Sequence, residues 1–178
     1  MRLGEVLLAL SNLARTGWML RGVPSSMAES VAVHLFMSAL IAYELSVEAR
    51  RVGFNVDIGR AVIIALSHDL AEAVIGDISR RAGIEEAKRE AEFRAYDVLD
   101  VSMDLREFYR EYREGSTLEA IIAGIGDNLA TYLKARYYAR LGFKVNDIIE
   151  GSLNKALELA SLRGLEGIVR SMLERLEH

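Results

Sequence analysis

The stretch SHDLAEAVIGDIS, Ser67 to Ser79, follows the apolar run Ala61–Leu66 and carries His68, Asp69, Glu72 and Asp77 in quick succession. The run before it is uncharged, and Asp57 stands where a helix N-cap belongs. These features predict a buried helix carrying IGRAVIIALSHDLAE, and Gly76 just beyond predicts a turn leaving its C-terminus. A helix that is apolar and ends in a knot of ionisable groups needs helical neighbours to bury it, and the rest of the chain offers them.

Helical spacing dominates the 178 residues, and no alternating run is long enough for a strand. Leu3, Val6, Leu7, Leu10 and Leu13 predict an amphipathic first helix. RTGWMLRGVPSS, with the only proline, reads as an ordered loop. Glu29 to Arg51 is apolar on almost every side through Tyr43, which marks a central helix. Charged helices are predicted over Gly83–Asp100 and Leu105–Arg113. Ser116 and Glu119 have capping-box spacing, so a long helix begins there and runs to near Gly142. Asn146 opens the next, and Gly164 separates it from a last helix whose stripe is Leu165, Ile168, Val169, Met172 and Leu176. The expected fold is all-α, a single domain over residues 1–178 forming a bundle of about seven helices.

Composition narrows the function. Net charge is −4 with both signs interspersed, so no basic stripe tracks an extended nucleic acid. Cysteine is absent, which removes disulfides and thiolate ligands. The longest uncharged run, Ser30–Tyr43, is shorter than the ~20 residues of a membrane span, and a soluble, cytoplasmic protein without a membrane partner is expected.

Of three histidines, His178 is terminal, while His34 and His68 sit in the most apolar helices. For either one alone, a core histidine bonded to a backbone carbonyl is the ordinary explanation. Asp69 beside His68 and Asp127 within EAIIAGIGDNLATYL change that balance, because an ionised carboxylate in apolar company costs several kcal/mol or more unless it is compensated. A shared cation would compensate it. Two imidazoles and two carboxylates form a mixed nitrogen and oxygen set that suits one divalent Mn, Co, Ni, Zn or Fe ion better than Ca.

This ordered pattern, His34, then His68-Asp69, then a distant Asp127, resembles the H…HD…D signature of the HD-domain metal-dependent phosphohydrolases. RTGWMLRGVPSSMAESVAVH, SHDLAEAVIGDI, EEAKREAE and LREFYREYREGSTLEAIIAGIGDNLATYLKARYY are similar, in order, to segments of its small 5'-deoxynucleotidase branch, over roughly residues 13 to 140. The resemblance implies a helical fold, a single ion held by His34, His68, Asp69 and Asp127, hydrolysis of a (deoxy)nucleoside 5'-monophosphate, and homodimers. It assigns Glu72 and Asp77 to catalysis and places Arg15 and Trp18 in the nucleotide-contacting segment. The chain departs from the branch at Val33, where an acidic residue usually precedes the first metal histidine, and after Asp127, where a glutamate is often found.

The residues themselves support an acid/base role for Glu72, one helical turn beyond Asp69, against the alternative of a solvated helix-end carboxylate. Asp77 could turn back into the site or cap the next segment. Arg15 and Arg21 are the candidate phosphate ligands, and Trp18 could stack on a base or simply pack. Two rival functions stand beside the nucleotidase: cleavage of another phosphate ester, such as a cyclic nucleotide or alarmone, and a non-catalytic metal-binding module.

Overall fold

A computed structural model describes residues 1–79 and 82–177; His178 lies outside the described residues. The elements are α1 (Leu3–Asn12), α2 (Thr16–Met19), α3 (Val31–Arg51), α4 (Ile58–Ser67), α5 (Glu72–Ile75), α6 (Glu85–Ala95), α7 (Met103–Glu114), α8 (Leu118–Arg140), α9 (Asn146–Ser161) and α10 (Glu166–Glu177). No strand occurs among the described residues, only two isolated bridges. The all-α expectation holds. The elements exceed the expected seven partly because the Gly/Pro loop contains the single turn α2, and because the predicted helix through Glu72 breaks at His68 and resumes as α5.

Side chains in the sequence set the helix starts. Ser30, Asp57 and Thr117 each accept a hydrogen bond from the backbone N–H three residues on, opening α3, α4 and α8. The expected capping box at Ser116 does not form. Thr117 is the cap, and the Glu119 carboxylate instead accepts from Asp57 N–H at 2.8 Å, tying the start of α4 to the start of α8.

Helix α3 is the central element, packed on α8 and α4, and its Ile41, Ala42, Leu45 and Ala49 join Ile64, Ala65, Ile122, Ile125 and Leu129 in one core. Its length and composition would let it cross a membrane, but half of its most apolar window is buried inside the fold. The α3–α8 crossing is close because of Gly126: a Cβ there would lie 2.7 Å from the Ser38 carbonyl oxygen. That approach sets Asp127, the next residue, against the face of α3 that carries His34.

Leu165, Val169 and Met172 of the last helix are buried as its stripe predicts. Helix α7, charged as predicted, is not wholly a surface element. Tyr109 and Glu111 are buried, and Glu111 is compensated by Arg60 and by the Thr117 hydroxyl. Burial of a carboxylate is affordable there because a guanidinium meets it.

Candidate metal centre and active-site cleft

Residues from the α2 segment, the α4–α5 junction, α6, α7, α8 and α9 line one cleft of about 340 Å³. Backbone bonds from Arg15 N–H to the Glu29 carbonyl (3.0 Å) and from Val31 N–H to the Leu13 carbonyl (2.9 Å) hold the loop before α2 against the start of α3. Arg15 thereby lies beside His34. Helix α4 ends at His68, and the chain continues to α5 through three-residue turns, Leu70 N–H to the Ser67 carbonyl at 3.1 Å and Glu72 N–H to the Asp69 carbonyl at 3.0 Å. Helix α8 supplies Asp127 from the third side.

The four expected ligands meet. His34 Nε2 lies 3.0 Å from Asp127 Oδ1 and 4.0 Å from Asp69 Oδ2; His68 Nε2 lies 3.2 Å from Asp69 Oδ2 and 3.8 Å from Asp127 Oδ1. Ligand atoms of His34, His68 and Asp127 all fall within 4.8 Å of one another, and Asp69 flanks that group through its contacts to both rings. Atoms bound at about 2.1 Å to one tetrahedral ion stand roughly 3.4 Å apart, so the spacing fits a shared cation. His34 Nε2 is buried and close to Asp127, yet not aligned for a hydrogen bond, as expected of groups aimed at a common point. The His68 Nδ1 atom faces the Ala65 carbonyl at 2.8 Å, an acceptor that takes the ring hydrogen there and leaves Nε2 to ligate.

The electrostatics agree. Burial and the Arg15 guanidinium push His34 down, toward the neutral form that binds metal. Burial opposes charge on His68 too, but Asp69 and Asp127 hold it up at about 9. Asp69 and Asp127 are held well below the usual carboxylate range despite burial, Asp69 by His68 and His34, Asp127 by His34, His68 and Arg15. In the metal-free protein the neighbouring imidazoles and Arg15 keep these two carboxylates ionised in the interior, and the negative charge so held is of the sign a shared cation needs.

Tyr112, unnoticed in the sequence, donates to Asp127 Oδ2 at 2.7 Å and packs its ring 4.8 Å from His68. Glu72 is buried at the start of α5 and pushed up to about 9, by burial first and then by Asp69 and Asp77. Lys88 bonds to it at 3.1 Å. Gly76, with φ +78° and ψ 165°, a region closed to other residues, swings Asp77 back across the cleft, where its carboxylate accepts from the Thr16 N–H and hydroxyl. Asp77 lines the cleft and fastens the α2 loop rather than capping a following segment.

Arg15 donates to Glu29 Oε1 at 3.0 Å and to Thr131 Oγ1 at 3.4 Å, and its Nη1 lies 3.0 Å from His34 Nδ1. Trp18 borders the cleft but is almost wholly buried, with its Nε1 donating to Glu29 and its ring against Tyr138. Arg21 reaches the far wall and pairs with Asp147 at the start of α9. Val33 is exposed and faces away from the cleft wall, so the family's acidic position before His34 is here an outward one. Thr131, one turn after Asp127, lines the cleft beyond the second departure.

Comparison with known proteins gives the same direction. The 5'-deoxynucleotidase HDDC2 of Homo sapiens is 32% identical over 142 residues, 76% of this chain and 66% of that protein. The 5'-deoxynucleotidase hdd1 of Schizosaccharomyces pombe is 28% identical over 127 residues, 65% of this chain and 60% of the relative. The chain thus spans about two thirds of the length of the curated relatives it matches. The crystal structure of the PH0347 protein from Pyrococcus horikoshii superposes with a TM-score of 0.82 at 32% identity, covering 98% of this chain and 97% of the other. A conserved hypothetical protein from Pyrococcus furiosus also superposes with a TM-score of 0.82, at 31% identity, covering 97% and 98% of the two chains. The HD domain family model matches residues 9–155, a span that contains all four converging ligands, and the chain belongs to the HD domain family.

Proposed function

We propose that this protein is a metal-dependent phosphomonoesterase that hydrolyses (deoxy)nucleoside 5'-monophosphates to nucleoside and phosphate. The convergence of buried His34 with His68, Asp69 and Asp127, the last three lining a cleft that also contains Glu72, carries this reading. The names of the curated relatives support the substrate class. A divalent Mn, Co, Ni, Zn or Fe ion held by those four residues would supply a Lewis acid for the phosphoryl group and water activation near neutral pH.

The chain's own groups divide the remaining work. Arg15 and Arg21 bring guanidinium forks to the cleft for the phosphate oxygens. Glu72, raised toward about 9, holds a proton near neutrality and delivers it to the departing 5'-oxygen of the sugar. Asp77, anchored on Thr16, borders the sugar side and fixes the loop that carries Arg15. Trp18, wedged between Glu29 and Tyr138, closes that side against water.

The same reading includes a homodimer. Val33, Phe36, Leu40 and Tyr43 form an exposed apolar stripe along one side of α3, with Phe36 63% exposed, and a second copy would cover it. Light scattering of the purified protein tests this, with a mass of two chains expected; a monomer would contradict it. The activity is tested with dAMP, dCMP, dGMP, dUMP, dTMP and their ribonucleotide counterparts, assayed with Mn or Co. Phosphate release from at least some of these, abolished by chelator, is expected; no release from any of them, with opening of a cyclic nucleotide to its monophosphate or cleavage of a diphosphorylated nucleotide seen instead, would overturn the substrate assignment.

A further inference from the structure

Helix α6 is charged along most of its length, and its sequence reads as a solvated surface element. Its Lys88 is an exception. The side chain is only 21% exposed, and its ammonium meets three acceptors: Glu72 Oε1 and the Ile78 carbonyl, both at 3.1 Å, and Glu92 Oε1 at 3.4 Å. Two of these contacts are hydrogen bonds, to Glu72 and Ile78, and the third is an ion pair with Glu92.

The arrangement continues outward. Glu92 is itself buried and accepts from the Tyr109 hydroxyl at 2.7 Å. Tyr109 lies 5.2 Å from Tyr96, whose hydroxyl donates to the Ser67 carbonyl at 3.2 Å, at the end of α4 beside His68. The ammonium is thus held from behind by a buried carboxylate and in turn holds the elements in front. Glu72 Oε1 is on Lys88, and Glu72 Oε2 is buried with no partner. The Ile78 carbonyl belongs to the turn that carries Asp77.

We propose that Lys88 is a positioning residue for the hydrolytic reaction: it fixes the Glu72 carboxyl, keeps its second oxygen free for proton transfer, and pins the Asp77 turn in place. This rests on the phosphomonoesterase reading of the cleft. Lys88 acts through Glu72 and makes no contact with substrate. Lys88 borders the cleft, but its ammonium is drawn to Glu72, the Ile78 carbonyl and Glu92, which ties it to the groups it positions.

The test is a double-mutant cycle with steady-state kinetics on a deoxynucleoside monophosphate. Lys88→Met should lower kcat by ~10- to 100-fold, part of the effect of losing the acid/base group itself, with KM and bound metal little changed. Lys88→Arg should recover much of the rate, and Lys88→Gln serves as the neutral variant should methionine impair folding. In a Glu72→Gln background, either neutral variant should cause almost no further loss, because the group it positions is gone. A full additional loss in that background, or a rise in KM with kcat unchanged, would overturn the proposal. Wild-type rate in both neutral variants, with the unaltered protein active, removes Lys88 alone; an unaltered, metal-loaded protein with no phosphatase activity removes the cleft's functional reading and Lys88's role with it.

Discussion

At the scale of single residues, the cleft is a set of charges that tolerate one another only as a group. Asp69→Ala removes one carboxylate from between two imidazoles, and metal binding and phosphatase activity should both be lost while the far-ultraviolet helical signal persists. Glu72→Gln should leave the ion bound and slow turnover by ~100-fold or more, measurable in the same assay. The pH behaviour has two opposite signs. In the metal-free protein His68 is raised from its ordinary value to about 9, so its contribution to stability is full below the unfolded value and lost as pH rises through 9. Metal uptake must displace that proton, so apparent affinity should strengthen over the same rise. Thermal melts and titration calorimetry of metal-free protein between pH 6 and about 9 would show both trends; an affinity independent of pH would contradict the neutral-imidazole ligation of His68.

The sequence made the candidate ligands legible because ionisable residues in apolar helices stand out, and their ordered spacing resembled a known family. It did not reveal Lys88, Glu92 or Tyr112. All three lie in segments dense with charge, where a buried ion pair or hydroxyl looks the same as a solvated one until the neighbouring helix is placed over it. Trp18 shows the complementary problem. An aromatic ring next to a nucleotide-contacting loop suggested stacking, and its burial against Tyr138 is a tertiary fact.

At the scale of elements, the geometry depends on how close α8 comes to α3. Gly126→Ala would place a methyl 2.7 Å from a backbone oxygen that cannot rotate away. Helix α8 must then shift, at a cost of about 1–3 kcal/mol in an overpacked core, and Asp127 shifts with it. Chemical denaturation should report the lost stability, and metal affinity should fall although no ligand has changed. Undiminished affinity would mean that Asp127 is positioned by something other than this crossing. The helix limits of α3 and α8 followed closely from their apolar lengths, although the cap expected at Ser116 is Thr117. The break at His68 did not, since IGRAVIIALSHDLAE is helical by pattern throughout.

For the whole molecule, the centre joins three parts of the chain that are distant in sequence: α3, the α4–α5 junction and α8. An ion bound there stabilises the folded chain and not the unfolded one. At a free concentration 100 times Kd this is worth about 2.7 kcal/mol, which for a chain of this size corresponds to roughly 5–11 °C in Tm. Removing metal with a chelator should lower Tm by that order, and adding excess Mn should restore it. A Tm indifferent to both would show that the three segments are held together without help from a cation.

The central claim, that His34, His68, Asp69 and Asp127 hold one divalent ion in common, is met most directly by anomalous diffraction from crystals soaked in Mn. One strong peak within bonding distance of His34 Nε2, His68 Nε2, Asp127 and Asp69 is the predicted result. No peak at that point, or a peak held by other side chains, would contradict it.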